Sequence, residues 1–269
     1  MSESLLGKQT DYPTQYAPDL LHAIPRAVQR KSLGLSADLP FKGLDIWHAY
    51  ELSWLNRQGI PQVALGSFIF DCASPNIIES KSFKLYLNSL NQERIDSIEE
   101  LQQLLQKDLS ARAGAKVDVS LSTLDSKAVF VKPEGICLDS LNIEIDTYEP
   151  DSALLQVTGD KPVRVSVYSN LFRSNCPITR QPDWATISIA YQGAEIVPQS
   201  LLAYLISYRL YNGYHEDCVE KIFLDIDKAC QPESLTVQAN FLRRGGLDIN
   251  PIRSTKTVDE NSFSRFIRQ

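Results

Sequence analysis

The spacing of apolar residues predicts paired strands and paired helices in the first half of the chain. Apolar and polar side chains alternate on both sides of the turn-forming residues 56–59, which is typical of a β-hairpin. Farther on, apolar residues recur at helical spacing between Ile98 and Leu109, and Gly114 predicts the end of that helix. The predicted elements are strands at 49–55 and 62–70, helices at 82–90 and 98–113, and strands at 116–121 and 141–147.

The second half repeats this order of elements. Val163, Val165 and Val167 alternate with polar residues, which predicts its first strand. The predicted elements are strands at 163–168 and 185–191, helices at 198–210 and 214–229, a strand at 235–241, and a last strand at 245–251. We expect a linker around 148–162 between the two halves.

Residue identities support an internal duplication. At one constant offset, four residues of the first half match four of the second: Ser82, Tyr86, Leu87 and Ser89 match Ser200, Tyr204, Leu205 and Ser207. Together with the shared element order, these matches predict two ββααββ modules. We therefore expect an α+β fold with antiparallel sheets and helices on one face. The expected domains are an N-terminal arm at 1–45, one module at 46–150 and a second at 160–269.

Composition and charge narrow the class of protein. The 269 residues are 43% hydrophobic and 22% charged, which is typical of a soluble globular protein. The net charge of -6 argues against broad binding of nucleic acid or of anionic membranes. No apolar run approaches the length of a membrane span, and the first residues carry no signal-peptide pattern. We therefore expect a cytoplasmic protein with neither nucleic acid nor a membrane as its partner.

The cysteines and histidines do not indicate a disulfide framework or a metal site. The chain has five cysteines, which is an odd number, and only three histidines. No two cysteines have the Cys-x-x-Cys spacing that zinc and redox sites use. We expect no bound metal, and at least one thiol remains free for chemistry.

A short, turn-rich loop between two predicted strands carries Cys176 and Asp183. A thiolate is a nucleophile, and a neighbouring carboxylic acid can deliver or accept the proton that the reaction moves. A catalytic cysteine has to be partly exposed, and loops on a rigid scaffold often provide such sites. The alternative is that Cys176 is a small buried hydrophobic residue, which is the commoner fate of a free cysteine.

Polar residues at the predicted helix starts differ between the two halves. Residues 79–84 carry a glutamate, a serine and two lysines, and residues 243–246 form a basic, glycine-containing turn. These groups suit either an anion site or an ordinary helix cap with a solvated surface. In the second half, His215 and Glu216 begin a helix. They suit either that first turn or a guanine-like ligand, whose parallel N–H groups a carboxylate can accept.

Five motifs together resemble one family of enzymes. They lie at 79–86, 174–177, 181–183, 215–218 and 243–251. With these motifs the chain closely resembles the NADPH-dependent 7-cyano-7-deazaguanine reductases, the nitrile reductases of queuosine biosynthesis. The resemblance runs from about Leu44 to the C-terminus and fits the longer, two-module form. It implies the tunnelling fold, which is built from ββααββ units.

The resemblance also implies a role for each candidate residue. Cys176 matches the nucleophile that forms a covalent thioimide with the nitrile, and Asp183 matches the acid that protonates the nitrogen. Two NADPH molecules then yield the aminomethyl product. The implied contacts are Ile78, Glu79, Ser80, Tyr214, His215 and Glu216 for the substrate, and Ser80, Lys81, Arg244 and Gly245 for NADPH. The resemblance further implies a homodimer and a pocket at a module junction.

Two other functions are compatible with a tunnelling fold. A hydrolase or rearranging enzyme acting on a pterin or purine would normally need a metal cluster, and this chain is short of histidines outside His215. A non-catalytic deazapurine-binding module could use Glu216, but it would have no use for the pairing of Cys176 with Asp183. The nitrile reductase is therefore the function we expect.

Overall fold

The computed structural model describes residues 12–36, 38–125, 130–260 and 263–269. Residues 1–11 of the expected N-terminal arm lie outside this range. The described chain folds into two compact units. Unit 1 contains residues 12–36, 45–125 and 243–249, and unit 2 contains residues 38–44, 130–242, 250–260 and 263–269.

Unit 1 contains a sheet with the strand order β5-β3-β2, and β1 pairs with β4 in a separate two-stranded ribbon. Its elements are β1 (Ala23–Pro25), α1 (Arg26–Ser32), β2 (Lys42–Leu55), β3 (Pro61–Asp71), β4 (Asn76–Ile78), α2 (Ser80–Ser89), α3 (Ile98–Ala113) and β5 (Val117–Ser122). The first three residues of β2 belong to unit 2. The predicted hairpin and both predicted helices of this half are confirmed.

Aromatic side chains pack the helices of unit 1 onto the sheet. Phe83 of α2 is fully buried, and its ring centre lies 5.0 Å from that of Phe68 and 5.6 Å from that of Trp47. Ser97 begins α3 by accepting a hydrogen bond from the Glu100 amide, and such caps stabilise a helix start. Gly114 ends α3 with a φ of 73°, which glycine adopts without steric cost.

The predicted strand at 141–147 is wrong. Residues in this segment do alternate between half-buried and exposed, as the pattern required, but none of them belongs to a strand. Alternation specifies which side of an extended segment is covered, whereas a strand also needs a partner for its backbone groups. Among its described residues, the first unit therefore has three main strands of its own where four were expected.

Unit 2 contains a sheet with the strand order β12-β11-β10-β8-β7, and β9 pairs with the start of β10. Its elements are β6 (Phe130–Val131), β7 (Ile136–Cys137), β8 (Val157–Ser169), β9 (Arg173–Asn175), β10 (Pro182–Ile196), α4 (Pro198–Ser207), α5 (His215–Cys230), β11 (Ser234–Phe241), β12 (Leu247–Ser254) and β13 (Arg265–Phe266). The first three residues of β12 belong to unit 1. The pairs among β8, β10, β11 and β12 are antiparallel. The α+β class, antiparallel sheets and ββααββ order of this half are confirmed.

The predicted duplication is visible in matched hydrogen bonds. Ser82 of α2 donates to the carbonyl of Glu79 and accepts from the amide of His22. In unit 2, Ser200 of α4 donates to the carbonyl of Val197 and accepts from the amide of Gln156. Equivalent serines thus fix an incoming chain segment to the first helix of each unit.

Tyrosine and aspartate side chains join the two helices in each unit in the same way. Tyr86 donates to Asp108 at 2.7 Å, and Tyr204 donates to Asp225 at 2.6 Å. In both units the first helix supplies the tyrosine and the second supplies the aspartate. Identical residues that make identical contacts are the expected trace of a repeat.

No helix among the described residues has both the length and the apolar character that crossing a bilayer requires.

Candidate functional site

The hairpin of β9 and β10 holds Cys176 and Asp183 in unit 2. The Cys176 amide donates to the carbonyl of Gln181 at 2.9 Å, and the Arg180 amide donates to the carbonyl of Cys176 at 2.9 Å. Arg180 takes a left-handed φ of 56°, which lets the chain turn back within six residues. Asp183 then pairs with Ser174 across the two strands. The predicted loop therefore holds the thiol and the carboxylate at one end of a short hairpin.

Cys176 and Asp183 are both buried, with exposed fractions of 5% and 6%. The expectation that the cysteine is partly exposed is therefore not met in this structure. Burial alone would also fit a structural thiol.

Strand β9 also fixes the start of α5 beside the hairpin. The Asn175 amide donates to the carbonyl of Tyr211 at 2.8 Å, and the Gly213 amide donates to the carbonyl of Asn175 at 3.1 Å. These bonds lead the chain directly into Tyr214, the residue before α5, and into His215, its first residue. Two segments far apart in the sequence therefore meet at the residue next to Cys176.

The start of α5 contributes a histidine and a buried glutamate to this site. His215 Nε2 lies 3.8 Å from Asp183 Oδ1, and the edge of Phe241 holds the imidazole with a ring-centre distance of 4.1 Å. Glu216 is 3% exposed and lies in the first turn of α5, where the positive end of the helix dipole favours a carboxylate. The structure therefore brings Asp183, His215 and the Cys176 loop together within unit 2.

Cys218 lies one turn into α5 and is a poor candidate for the nucleophile. Burial raises the pKa of its thiol above the usual range, and the nearby carboxylates of Asp217, Asp183 and Glu216 raise it further. A neutral thiol is a weak nucleophile. None of the five cysteines forms a disulfide in the structure, and four of them, including Cys218, are buried.

Unit 1 contains a hairpin with the same backbone frame. The Leu55 amide donates to the carbonyl of Glu93 at 2.8 Å, and the Ile95 amide donates to the carbonyl of Leu55 at 2.9 Å. These bonds reproduce those that Asn175 makes in unit 2. The Asn56 amide donates to the carbonyl of Ile60, which reproduces the bond that closes the Cys176 loop.

This frame identifies the residues of unit 1 that replace the candidate catalytic residues. Asn56 follows Leu55 and occupies the position of Cys176, and Gln62 occupies the position of Asp183. Neither side chain is a nucleophile or an acid at neutral pH. Unit 1 therefore keeps the hairpin without its chemistry.

Glu79, which resembles a substrate contact, caps α2 in unit 1. Its two carboxylate oxygens accept hydrogen bonds from the amides of Lys81 and Ser82, both at 2.8 Å. The side chain is buried, as is the preceding Ile78, and Ser80 is the first residue of the helix. The capping interpretation is confirmed. Each carboxylate oxygen can accept a second hydrogen bond, so the cap leaves room for a ligand contact.

A tight turn at 244–247 carries the predicted cofactor residues Arg244 and Gly245. The Arg244 amide donates to the carbonyl of Leu247 at 2.8 Å. Gly245 and Gly246 have φ values of 63° and 78°, which are the values of a two-residue type I′ turn. Any residue other than glycine would be strained at both positions.

A cavity of about 110 Å³ in unit 1 adjoins this turn. Its lining residues are Ala49, Glu51, Lys84, Leu87, Asn88, Asn91, Gly245, Gly246 and Leu247. A methyl group on Gly245 would lie 2.8 Å from Lys84 Nζ, so the missing side chain keeps the ammonium accessible. An ammonium beside a glycine turn is a donor set that suits a phosphate. The residues here therefore fit a phosphate-bearing cofactor, and Lys84 joins the predicted candidates.

A second polar group in unit 1 was not predicted. Asp248 is 1% exposed, accepts a hydrogen bond from the hydroxyl of Tyr50, and lies 2.7 Å from His48 Nδ1. The guanidinium of Arg243 lies 3.6 Å from the centre of the Tyr50 ring. These contacts anchor both ends of the glycine turn. No local sequence pattern indicates these contacts, because about 200 residues separate the partners.

The residues that the structure describes include no group of three or more histidine, cysteine, aspartate or glutamate side chains that could hold a metal ion.

Two family models match the chain. The model described as nitrile reductase, 7-cyano-7-deazaguanine-reductase N-term, matches residues 12–121, and the model described as QueF-like protein matches residues 182–260. The solved apo structure of the archaeosine synthase QueF-Like covers 38% of the chain with a TM-score of 0.32 and 20% identity.

Curated relatives extend the likeness to nearly the whole chain. Proteins named NADPH-dependent 7-cyano-7-deazaguanine reductase from Saccharophagus degradans and Dechloromonas aromatica are 51% and 50% identical to it. The alignments cover 94% and 99% of this chain and 95% of each relative. A protein of the same name from Bordetella avium is 50% identical over 100% of this chain and 99% of its own length. The chain belongs to the family of 7-cyano-7-deazaguanine reductases.

Proposed function

We propose that this protein reduces the nitrile of 7-cyano-7-deazaguanine to an aminomethyl group with NADPH, a step in queuosine biosynthesis. The observation that carries the proposal is the hairpin of β9 and β10, which holds Cys176 and Asp183 at one end and places Asp183 3.8 Å from His215. The names of relatives that are 50% and 51% identical support the same activity.

The proposed first step is covalent capture of the nitrile. Cys176 reacts as a thiolate: its sulfur bonds to the nitrile carbon, and one carbon–nitrogen π bond breaks. The electron pair of that π bond takes a proton from the carboxylic acid of Asp183 at the nitrogen. The product is a thioimide, whose polarised C=N bond accepts hydride more readily than a nitrile does. His215 stays within reach of Asp183 and keeps its carboxyl group oriented.

Substrate recognition is proposed to rest on two carboxylates. Glu216 has the geometry of a buried acceptor at a helix start, and it suits the parallel N–H groups of a deazaguanine edge. Tyr214 and His215 directly precede Glu216. They provide an aromatic ring and a hydrogen-bond donor for the substrate. Glu79, with the backbone at Ile78 and Ser80, supplies the second contact through the free lone pairs of its carboxylate.

The cofactor is proposed to bind through Ser80, Lys81, Arg244 and Gly245, with Lys84 beside them. The positive φ values of the turn favour glycine, so no side chain lies between the turn backbone and a ligand. The basic residues suit the 2′-phosphate of NADPH. Bound NADPH supplies hydride, one from each of two molecules that bind in turn.

The proposal includes a cytoplasmic homodimer without a nucleic-acid or membrane partner. The resemblance to the two-module form supports the dimer, and the net charge of -6 disfavours polyanionic partners.

The test is intact-mass spectrometry of the protein mixed with 7-cyano-7-deazaguanine in the absence of NADPH. The wild type should gain the mass of one substrate, and Cys176→Ala should gain none. Added NADPH should then discharge the adduct as the amine. If the wild type binds the base but forms no adduct, the covalent reductase is refuted and a deazapurine-binding module takes its place.

A further inference from the structure

Trp184 follows Asp183 directly on β10, and two arginines hold its ring. The guanidinium carbons of Arg173 and Arg209 each lie 5.5 Å from the centre of the indole. Arg173 lies directly across the hairpin from Trp184, and Arg209 comes from the short 3-10 helix after α4. Guanidinium groups over a tryptophan face are the most favourable of the cation–π pairs.

The indole is placed where it can control the orientation of Asp183. Neighbouring residues of a strand point to opposite faces, so Asp183 and Trp184 lie on opposite sides of the hairpin. The backbone of Trp184 is also fixed, because its carbonyl accepts a hydrogen bond from the Leu242 amide at 2.8 Å. With the ring held on one side, the backbone that carries the carboxyl group on the other side has little freedom to shift.

Unit 1 shows that the hairpin itself does not need this arrangement. Its matched hairpin has Val63 at the position of Trp184, next to Gln62 at the position of Asp183. The positions of the two arginines are taken by Ser53 and Asn91. The same backbone bonds form in both units, so the tryptophan and its arginines occur only in the hairpin that carries an acid.

The geometry points to Trp184, clamped by Arg173 and Arg209, as a positioning residue that aims Asp183 at the nitrile nitrogen. This inference rests on the proposed function and extends it to residues outside the reacting groups. Small displacements of a reacting group are costly, and an error of 1 Å can slow a reaction by about 100-fold.

The test measures the rate of thioimide formation by quenched-flow mass spectrometry, together with the substrate affinity. Trp184→Val installs the residue that unit 1 uses, so it is the variant best tolerated by the hairpin. It should slow adduct formation by about 10- to 100-fold and leave the dissociation constant of the base unchanged. Trp184→Phe keeps an aromatic face for the arginines and should recover most of the rate. Phe130→Val removes the ring of another cation–π pair in unit 2 and should leave the rate unchanged.

A double-mutant cycle with Asp183→Asn separates positioning from general damage. If Trp184 acts through Asp183, Trp184→Val should cause no further loss in the Asp183→Asn protein. When the rate of adduct formation is measured against pH, Trp184→Val should lower it only in the pH range where Asp183→Asn also lowers it. The inference would be overturned if the two substitutions slowed adduct formation by factors that multiply. It would also be overturned if Trp184→Val lowered the rate equally at every pH. Absence of any adduct in the wild type would instead refute the proposed function.

Discussion

The buried ion pair between Arg253 and Glu220 in unit 2 is predicted to be costly to break. Arg253 Nη2 and Nε donate to Glu220 Oε1 at 2.9 and 3.1 Å, and the two side chains are 0% and 2% exposed. The guanidinium also donates to the carbonyls of Ile252 and Leu44, at 3.0 and 3.4 Å, but neither acceptor carries the negative charge that Glu220→Ala removes.

The expected loss follows from these distances and from the burial. Hydrogen bonds to charged groups contribute about 1.5–3 kcal/mol each, and two are lost. Removing one partner of a buried pair costs about 3–5 kcal/mol, because the remaining charge stays buried. With a urea slope of about 2–3 kcal/mol per molar, Glu220→Ala should lower the unfolding midpoint by about 1–2 M.

Urea unfolding followed by circular dichroism tests this prediction. The matched control is Lys221→Ala, on the next residue of the same helix, which breaks a more exposed pair with Asp225 and should cost about 0.5 kcal/mol or less. The double variant Glu220→Leu/Arg253→Met removes both charges and should recover most of the lost stability. A Glu220→Ala protein as stable as the control, or a double variant as unstable as the single one, would refute the reasoning.

Three further predictions concern the turn, a buried thiol and the stoichiometry. Gly245→Ala places a methyl group 2.8 Å from Lys84 Nζ at a φ of 63°, and it should raise the KM for NADPH while leaving adduct formation intact in the mass assay. Burial raises the pKa of Cys230 from 9.0 to about 11, so its stabilising effect is complete below pH 9 and is lost as pH rises to about 11. Cys230→Ala should therefore flatten the decline of urea stability between pH 9 and 11. Because Asn56 replaces the cysteine in unit 1, saturating substrate should add one adduct per chain, and two adducts would contradict the match of the hairpins.

The regular elements could be predicted because each leaves a local mark in the sequence. The helical spacing of apolar residues from Ile98 to Leu109 and the glycine that ends α3 are both visible without a structure. The failure at 141–147 has a physical cause, since the pattern of a covered face does not identify a hydrogen-bonding partner. The role of residues 12–36 was also invisible. They build unit 1 through bonds such as that from the His22 amide to Ser82, whose partner is 60 residues away.

The candidate site could be predicted as a set of residues but not as an arrangement. Cys176 and Asp183 share one loop, and the sequence therefore placed them together. The approach of His215 depends on the bonds of Asn175 to Tyr211 and Gly213, and neither end of those bonds has a distinctive side chain. Backbone pairing of this kind is specified by the whole unit, so no local pattern indicates it.

The duplication makes it possible to separate what the fold requires from what the chemistry requires. The two hairpins share their closing bonds and their attachment to the segment before the second helix, although Asn56 and Gln62 stand in one and Cys176 and Asp183 in the other. A backbone frame that forms with either set does not depend on the reactive side chains. The matched unit therefore shows no folding requirement for the cysteine, for the acid or for the tryptophan beside it. Their presence together in one hairpin supports the proposed reaction.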